Sequence, residues 1–304
     1  MAVIARHEVL VATLGTQPQV ITLALDLLAV DEGIAVDEVH VVHTAAKGLI
    51  AKALERLRAE FHRNRYGGRR CSYHEVPILT PEDRPVRDIR TEEDASGAFR
   101  TIYRVVLEQK QARKRVHLSI AGGRNSMVVY GAATAQILFD ADDRLWHILS
   151  TEEFERTDLM HRHSRFDAAL VPIPVLRWST ISPALTALVR EQDPFRAIAA
   201  QEQLVERQAD RQREEFLTEV LTPAEWRVVE DFVTHGGTDR EIAARLAQHS
   251  GRHVSERTVS THLRHIYGKM HSFFGYDAPV NRGIVMQQFA GFFEQYPHLR
   301  APPP

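Results

Sequence analysis

Two short glycine-containing segments carry residue types that bind phosphate. The first follows an apolar run and reads TLGTQPQ from Thr13 to Gln19. The second also follows an apolar run and reads SIAGGRNSM from Ser119 to Met127. Glycine lets the backbone approach a ligand closely, and a helix that begins after such a turn offers free N–H groups to an anion. Both segments therefore have the chemistry of a phosphate-binding turn.

Polar side chains in and beside these segments add groups that recognise a nucleotide. Hydroxyl and amide groups bond to ribose or base edges, and a guanidinium can hold a phosphate through two N–H groups. The side chains of this kind are Thr13, Thr16, Gln17, Ser119, Arg124, Asn125 and Ser126. Neither segment has a GxGxxG or Walker pattern, so a dinucleotide-dependent dehydrogenase and a phosphoryl-transferring ATPase lose their main support. The sequence predicts a nucleotide site without a metal; the alternative, that these residues only make tight turns and cap helices, stays open.

The elements around these segments predict an α/β domain. Short apolar runs alternate with amphipathic stretches as far as Leu149, which is typical of a parallel sheet wound with crossover helices. We expect both glycine segments at one edge of that sheet, because ligands bind where the carboxyl ends of parallel strands meet. The predicted strands are Val9 to Leu14, Glu38 to His43, Ser72 to Ile78, Val116 to Ala121 and Arg144 to Leu149, with an edge strand in Ala168 to Leu176. The predicted helices are Pro18 to Val30, Ala46 to Arg63, Glu92 to Gln111 and Asn125 to Phe139.

A different pattern begins at Leu221 and predicts an all-α helix-turn-helix domain. Helix ends are marked by Thr222, Pro223, Glu225, Gly236, Gly237, Thr238 and Ser255. The second and third helices are expected from Asp239 to Ala247 and from Glu256 to Met270. The apolar tail from Ile284 to Phe293 is expected to pack on this domain or to pair it with a second copy.

Composition narrows the class of protein. The 304 residues suggest two domains, and 38 Lys and Arg against 40 Asp and Glu give a net charge of -2, so any nucleic-acid contact must be local. The single cysteine, Cys71, excludes a disulfide framework and a cysteine-based zinc site. His161 and His163 lack an evident third ligand, and no metal is expected. No secretion signal or membrane span is evident, so we expect a cytoplasmic protein with no membrane partner.

These patterns predict three parts. Residues 1–178 form a ligand-binding domain, residues 179–220 a helical linker, and residues 221–304 the helix-turn-helix domain. The linker contains two predicted helices, Ser182 to Gln192 and Phe195 to Phe216, the second with a mainly acidic polar face.

The segments TLGTQPQVIT and SIAGGRNSM, with DIRTEED between them, resemble the CRISPR-associated Rossmann-fold sensor domains (CARF domains), and among these the ring nucleases. The resemblance implies a homodimer whose four glycine turns line a symmetric pocket for a cyclic oligoadenylate, with no cofactor. Two-fold symmetry favours cyclic tetra-adenylate. The positions that carry over are Gly15, Thr16, Gln17, Gly122, Gly123, Arg124, Asn125 and Met127. Thr13, Ser119 and Arg90 complete the predicted binding set. The segment with Arg87, Asp88 and Arg90 either covers the pocket or is a solvated loop.

Some members of this group only bind the ring and others cut it, so the resemblance leaves the activity open. Cleavage without a metal needs a ribose 2′-hydroxyl held in line with the neighbouring phosphodiester, and it produces a 2′,3′-cyclic phosphate. Thr16, Gln17 and Asn125 are the candidates that orient the hydroxyl. Arg124 is the candidate that stabilises charge on the phosphoryl oxygens. Neither turn contains a histidine as general base, which favours a slow enzyme or a pure binder.

About fifty residues from Leu221 resemble the DNA-binding domain of LuxR/FixJ-type response regulators. The likeness rests on Leu221-Thr222-Pro223, Glu241-Ile242-Ala243, Thr261-His262-Leu263 and neighbouring positions, with a longer segment between Leu246 and Val254 than the family has. It implies that the helix after Ser255 enters the major groove of double-stranded DNA. The candidates for contacts to base edges are Arg257 and either Ser260 or Thr261. The candidates for contacts to DNA phosphates are Arg252, Arg264 and Lys269.

Together these features predict a type III CRISPR accessory protein that couples cyclic oligoadenylate binding to DNA binding and cleaves the ring slowly. The alternative is a ring nuclease whose C-terminal module only holds the dimer together. A Rossmann-like enzyme with an ordinary mononucleotide substrate is a third reading.

Overall fold

The computed structural model describes residues 7–177 and 191–300. They belong to two compact units, Met1–Gln201 and Glu202–Pro304. Residues 182–190 of the predicted helix from Ser182 to Gln192 lie outside the described residues. The predicted domain boundary after residue 178 lies outside them as well. Within the described ranges, none of the helices combines the length and the apolar character that a membrane span needs.

The first unit is built on a six-stranded sheet with the order β5-β2-β1-β6-β7-β8. The first five of these strands are parallel, and β8 runs antiparallel to β7 at the edge. A separate two-stranded hairpin, β3–β4, precedes β5. The strands are β1 (Glu8–Thr13), β2 (Glu38–His43), β3 (Arg65–Tyr66), β4 (Arg69–Arg70), β5 (Ser72–Pro77), β6 (Arg115–Ser119), β7 (Arg144–Ser150) and β8 (Ala168–Ile173).

Helices cover both faces of this sheet. They are α1 (Gln19–Asp31), α2 (Gly48–Glu60), α3 (Glu92–Gln111), α4 (Asn125–Leu138) and the single turn α5 (Glu152–Glu155). Val9 and Val11 of β1 share one core with α3 and α4, whereas Leu10 and Ala12 share the other with α1 and α2. The central strand is therefore apolar at nearly every position, and the predicted mixed α/β fold with a mostly parallel sheet is confirmed.

The strand order creates a switch point between β1 and β6. From β1 the chain crosses to β2 on one side, whereas β6 pairs with the other side of β1. Where the connections from two neighbouring strands run in opposite directions, a crevice opens at the carboxyl ends of those strands. Open α/β sheets bind ligands in such a crevice. The two glycine turns follow these two strands.

The second unit is a C-terminal helical region. After α6 (Pro194–Glu215) and a π-helical turn (Phe216–Val220), it contains α7 (Pro223–His235), α8 (Asp239–Ser250), α9 (Glu256–Phe274), α10 (Arg282–Gln295) and a final 3-10 turn (Pro297–Arg300). Trp226, Phe232, Leu263, Ile266 and Phe289 are among the buried residues of its core. The predicted caps Thr222, Thr238 and Ser255 each accept a hydrogen bond from the first turn of their helix. The apolar tail folds as α10 and packs on this core, as one of the two predicted alternatives has it.

Helix α8 is longer than the sequence predicts. It was expected to end at Ala247, but it continues to Ser250 because nothing before Gly251 stops it. Gly251 adopts a left-handed conformation with φ of 65°, the usual way to end a helix. The extra residues before Val254 thus extend the helix by most of a turn and leave a short connection to α9. Arg245 of α8 also donates to the Asp231 carboxylate and the Gly236 carbonyl, which ties α8 to α7.

Replacing Thr222 by alanine should destabilise the C-terminal unit. The Thr222 hydroxyl accepts the Glu225 N–H at 3.3 Å, and the Glu225 carboxylate accepts the Thr222 N–H at 2.8 Å. Loss of such a cap costs about 1 kcal/mol of unfolding free energy. Urea denaturation of T222A checks this, with T234A as control because Thr234 is exposed and its hydroxyl donates to the Glu230 side chain. Equal stabilities of the two variants would contradict the capping role.

Candidate functional site

The two glycine turns are in direct backbone contact. The Thr13 hydroxyl donates a 2.6 Å hydrogen bond to the Gly122 carbonyl, which joins the end of β1 to the turn after β6. A Cβ on Gly15 would lie 3.0 Å from the Gly123 nitrogen, so the two loops touch without intervening side chains. The predicted convergence of the two segments within one chain is therefore confirmed.

Glycine is required at two positions of the second turn. A Cβ on Gly122 would lie 2.3 Å from the Thr13 carbonyl oxygen, a separation that neither backbone could accommodate without moving. Gly123 has a φ of +88°, which strains any side chain, and its Cβ would meet the Met127 sulfur at 2.6 Å. The close approach of the two turns thus depends on these two residues.

The predicted binding residues divide into a buried and an exposed set. Thr13, Ser119 and Met127 are buried, so in this arrangement they support the turns from beneath. Gly15, Gln17 and Gly122 are partly exposed, and the exposed residues are Thr16, Gly123, Arg124 and Asn125. Gln17 has interactions within the chain. Contact of any of these residues with a ligand stays a prediction.

The helices that leave the two turns begin without a side-chain cap. Pro18 precedes α1 and Arg124 precedes α4, and neither side chain accepts a hydrogen bond from its helix. The first N–H groups of an α-helix have no partner within the helix and carry the positive end of its dipole. Two such ends, side by side with exposed glycine backbone, favour an anionic group at this edge.

The basic segment that follows β5, the third predicted strand, lies at the same edge of the sheet as the two glycine turns. Asp88, in the loop between β5 and α3, accepts hydrogen bonds from Arg124 Nε at 2.8 Å and Arg124 Nη2 at 2.7 Å. It also accepts one from Arg90 Nε at 2.8 Å. Hydrogen bonds from Arg90 and Arg124 hold the pKa of Asp88 below its usual range. Arg90 and Arg124 are therefore brought together by Asp88, whose pairing with Arg124 the sequence did not predict.

The loop that carries Asp88 is fixed by backbone bonds. Val86 donates to the Ile78 carbonyl at 2.9 Å and accepts from the Ala45 N–H at 2.7 Å, so the loops after β5 and β2 are joined. Gly97 of α3 lies against this loop, where a Cβ would be 2.3 Å from the Leu79 carbonyl oxygen. The Asp88 carboxylate is thus held at the edge by the fold.

One histidine closes a strand at this edge, although neither turn contains one. His43 is the last residue of β2, and its buried Nδ1 donates to the Thr44 carbonyl at 2.6 Å. Burial lowers the pKa of His43. Its Nε2 has no hydrogen-bond partner among the described residues. The alternation of β2 places His43 on the face of Val39 and Val41, which pack against α1 and α2.

The predicted DNA-binding residues of the second unit lie on and before α9. Arg252, Arg257 and Arg264 are exposed, and their guanidinium groups have no ion-pair partner within the described residues. Ser255 caps the helix, and the Thr261 hydroxyl donates to the Arg257 carbonyl at 2.9 Å. Lys269 is used internally instead: its Nζ donates to Glu225 Oε2 at 2.6 Å and to the Val220 carbonyl at 2.9 Å. A phosphate contact by Lys269 would have to replace these bonds.

Comparison with known proteins identifies the family. Residues 17–208, more than half of the chain, match the family described as CRISPR-associated protein NE0113. The chain therefore belongs to this CRISPR-associated family. Among curated proteins, none matches it. The match begins at Gln17, after Gly15 of the first turn, and it includes the second glycine turn and the loop that carries Asp88.

Replacing Gly122 by alanine should destabilise the first unit. The added methyl group must push apart the two turns, and overpacking of this kind costs about 1–3 kcal/mol of unfolding free energy. Gly268→Ala is the control, because Gly268 lies within α9 with open space around its Cβ position and alanine there should stabilise the helix by about 0.5–1 kcal/mol. Urea denaturation measures both. A G122A chain as stable as the unchanged protein would contradict the contact between the turns.

Proposed function

We propose that this protein is a CARF-type sensor of type III CRISPR immunity that binds a cyclic oligoadenylate at the edge formed by its two glycine turns. The observation that carries the proposal is the backbone contact of Gly15 and Gly122–Gly123 at the β1–β6 switch point. It is supported by membership in a CRISPR-associated family and by the sequence resemblance of these turns to CARF domains.

The chemistry of the edge favours a polyanionic ring over a single mononucleotide. One protomer supplies two uncapped helix starts and the guanidinium groups of Arg90 and Arg124. The turns are open to solvent, with Thr16, Gly123 and Asn125 exposed. A second copy related by a two-fold axis would double the donors and cover the ligand. A cyclic tetranucleotide, with four phosphates and matching symmetry, is the ligand that fits such a pair.

Arg124 has to change partner when the ligand binds. Its Nε and Nη2 are occupied by Asp88, and its side chain is 61% exposed. A ligand phosphate offers the same two-oxygen geometry as the Asp88 carboxylate, so it can take over these bonds. Asp88 then acts as an internal competitor that holds Arg124 ready at the edge.

The same site can cleave the ring slowly without a metal. The 2′-oxygen of one ribose attacks the adjacent phosphorus, the 5′-oxygen leaves, and a 2′,3′-cyclic phosphate forms. Arg124 and the N–H groups of Gly122 and Gly123 stabilise the charge on the phosphoryl oxygens. Thr16, Gln17 and Asn125 orient the attacking hydroxyl. Because neither turn supplies a histidine base, positioning rather than proton transfer has to provide most of the rate increase.

The C-terminal unit supplies the output, which we propose is binding of double-stranded DNA by a helix-turn-helix formed by α8 and α9. The exposed Arg252, Arg257 and Arg264 support this, because they leave cationic groups on and before α9 without ion-pair partners among the described residues. A ligand that favours one geometry of the homodimer would change the spacing of the two DNA-binding units.

Ligand binding is tested with cyclic tetra-adenylate and purified full-length protein in EDTA. Isothermal titration should give one ring per two chains. Arg124→Ala should weaken binding by about tenfold, because it removes a charge-assisted contact to a ligand phosphate. Arg104→Ala, an exposed arginine within α3, should leave affinity unchanged. A preference for ATP or NAD over the ring, or no binding at all, would contradict the proposal.

Asp88→Asn should have the opposite effect on the same measurement. It removes a negative charge from the edge and frees Arg124, so affinity for the ring should rise roughly two- to fivefold, as expected for a largely exposed pair.

Chromatography of the incubated ring then separates binding from cleavage. An intact ring after long incubation would reject the nuclease activity and leave the sensor function standing.

DNA binding is tested by gel shift with DNA from upstream of the protein's own gene, with and without cyclic tetra-adenylate. Arg257→Ala should abolish sequence-specific binding, because the early exposed residues of the docking helix contact bases. Arg227→Ala, on the exposed side of α7, should bind normally. No shift under either condition would favour the alternative, a ring nuclease whose C-terminal unit only holds the dimer together.

A further inference from the structure

A cluster of metal-ligating side chains lies near the opposite, amino end of the sheet. It consists of Glu38 and His40 on β2 and His74 on β5. The parallel register pairs His40 directly with His74, and Glu38 lies two residues earlier on the same face of β2. One ligand atom from each of the three residues lies within 4.8 Å of the other two.

The two imidazole rings converge on one carboxylate oxygen. His40 Nε2 lies 2.9 Å from Glu38 Oε1, and His74 Nε2 lies 3.3 Å from the same oxygen. The rings are stacked with their centroids 4.7 Å apart and their planes 16° from parallel. His74 is half-exposed and Glu38 is mostly buried, so the cluster opens to solvent on the side of His74. Two imidazole nitrogens and one carboxylate oxygen therefore surround one accessible point.

The remaining oxygen of Glu38 is held by other groups. Lys114 Nζ donates to Glu38 Oε2 at 2.6 Å and to the Gln109 side-chain oxygen at 2.8 Å. Burial alone raises the pKa of Glu38, but the hydrogen bond from Lys114 and the charges of His40 and Lys114 outweigh it and lower the pKa to about 2. Burial lowers the pKa of His40 despite the opposing effect of Glu38. Near neutral pH the carboxylate is thus ionised and oriented.

We propose that Glu38, His40 and His74 bind a divalent transition-metal ion of the zinc class. Two imidazoles with one carboxylate form a common donor set for Zn²⁺, and nitrogen donors select it and its neighbours over Mg²⁺ and Ca²⁺. A water molecule completes the coordination. Lys114 also contacts the Glu38 carboxylate. Its hydrogen bond fixes the orientation of the carboxylate, and its positive charge lowers the affinity for the metal ion.

This site has a structural role that is separate from ligand binding. Its ligands belong to two neighbouring strands whose crossover contains α2 and the β3–β4 hairpin. A metal there would link β2 to β5 near their amino ends, whereas the glycine turns follow the carboxyl ends of β1 and β6. The metal should therefore raise the stability of the first unit and leave the metal-free cleavage proposed above unaffected.

The test uses full-length protein that has been stripped of metal by chelation. Co²⁺ titration should give one equivalent of binding and the visible absorption of a low-coordinate nitrogen–oxygen site, and Zn²⁺ should displace it. His74→Ala should weaken binding by about tenfold or more. His62→Ala is the control, since His62 is an exposed histidine outside the cluster. Zn²⁺ should raise the melting temperature of the unchanged protein and of H62A, but not of H74A.

A second variant distinguishes a metal site from a simple ion-pair cluster. Lys114→Gln removes the competing positive charge and keeps a hydrogen-bonding side chain, so Zn²⁺ affinity should increase severalfold. Absence of Zn²⁺ and Co²⁺ binding in both the unchanged protein and K114Q would overturn the proposal. Equal binding by H74A and H62A would overturn it as well, because it would show that the metal is held by other histidines.

Discussion

The candidate site depends on one backbone contact, the approach of the turn after β1 to the turn after β6. The Thr13 hydroxyl bonds to the Gly122 carbonyl, and the Gly122 α-carbon faces the Thr13 carbonyl with no room for a methyl group. This contact brings the uncapped starts of α1 and α4 to one edge. Two helix ends that are held together can act on the same anionic group, whereas separate ends would each bind weakly.

The charge at this edge is arranged around a carboxylate. Asp88 bonds to both Arg124 and Arg90, so both guanidinium groups are held at this edge. For the anion binding proposed above, these internal bonds compete with the ligand and have to be exchanged. In the C-terminal unit, Lys269 is committed to Glu225, while Arg257 and Arg264 are exposed. The two units therefore use their basic residues differently, some to hold the fold and others at the surface.

Much of the fold could be predicted from local signals. The bounds of strand β2 (Glu38–His43) and of helix α3 (Glu92–Gln111) agree with the prediction. The capping box formed by Thr91 and Asp94 fixes the start of α3. The end of α8 was missed because Ala247 to Ser250 contains no helix breaker, and the β3–β4 hairpin because two-residue strands have no periodicity. The site was predicted less completely. The Asp88–Arg124 pair and the Glu38–His40–His74 cluster join residues that are distant in sequence, so only the strand order reveals them.

Amide hydrogen exchange, measured by mass spectrometry with and without cyclic tetra-adenylate, tests the central claim most directly. If both turns bind one polyanionic ligand, peptides covering residues 14–20 and 121–127 should gain protection together and at the same ligand concentration. Protection of only one turn, or protection confined to other parts of the chain, would contradict the account.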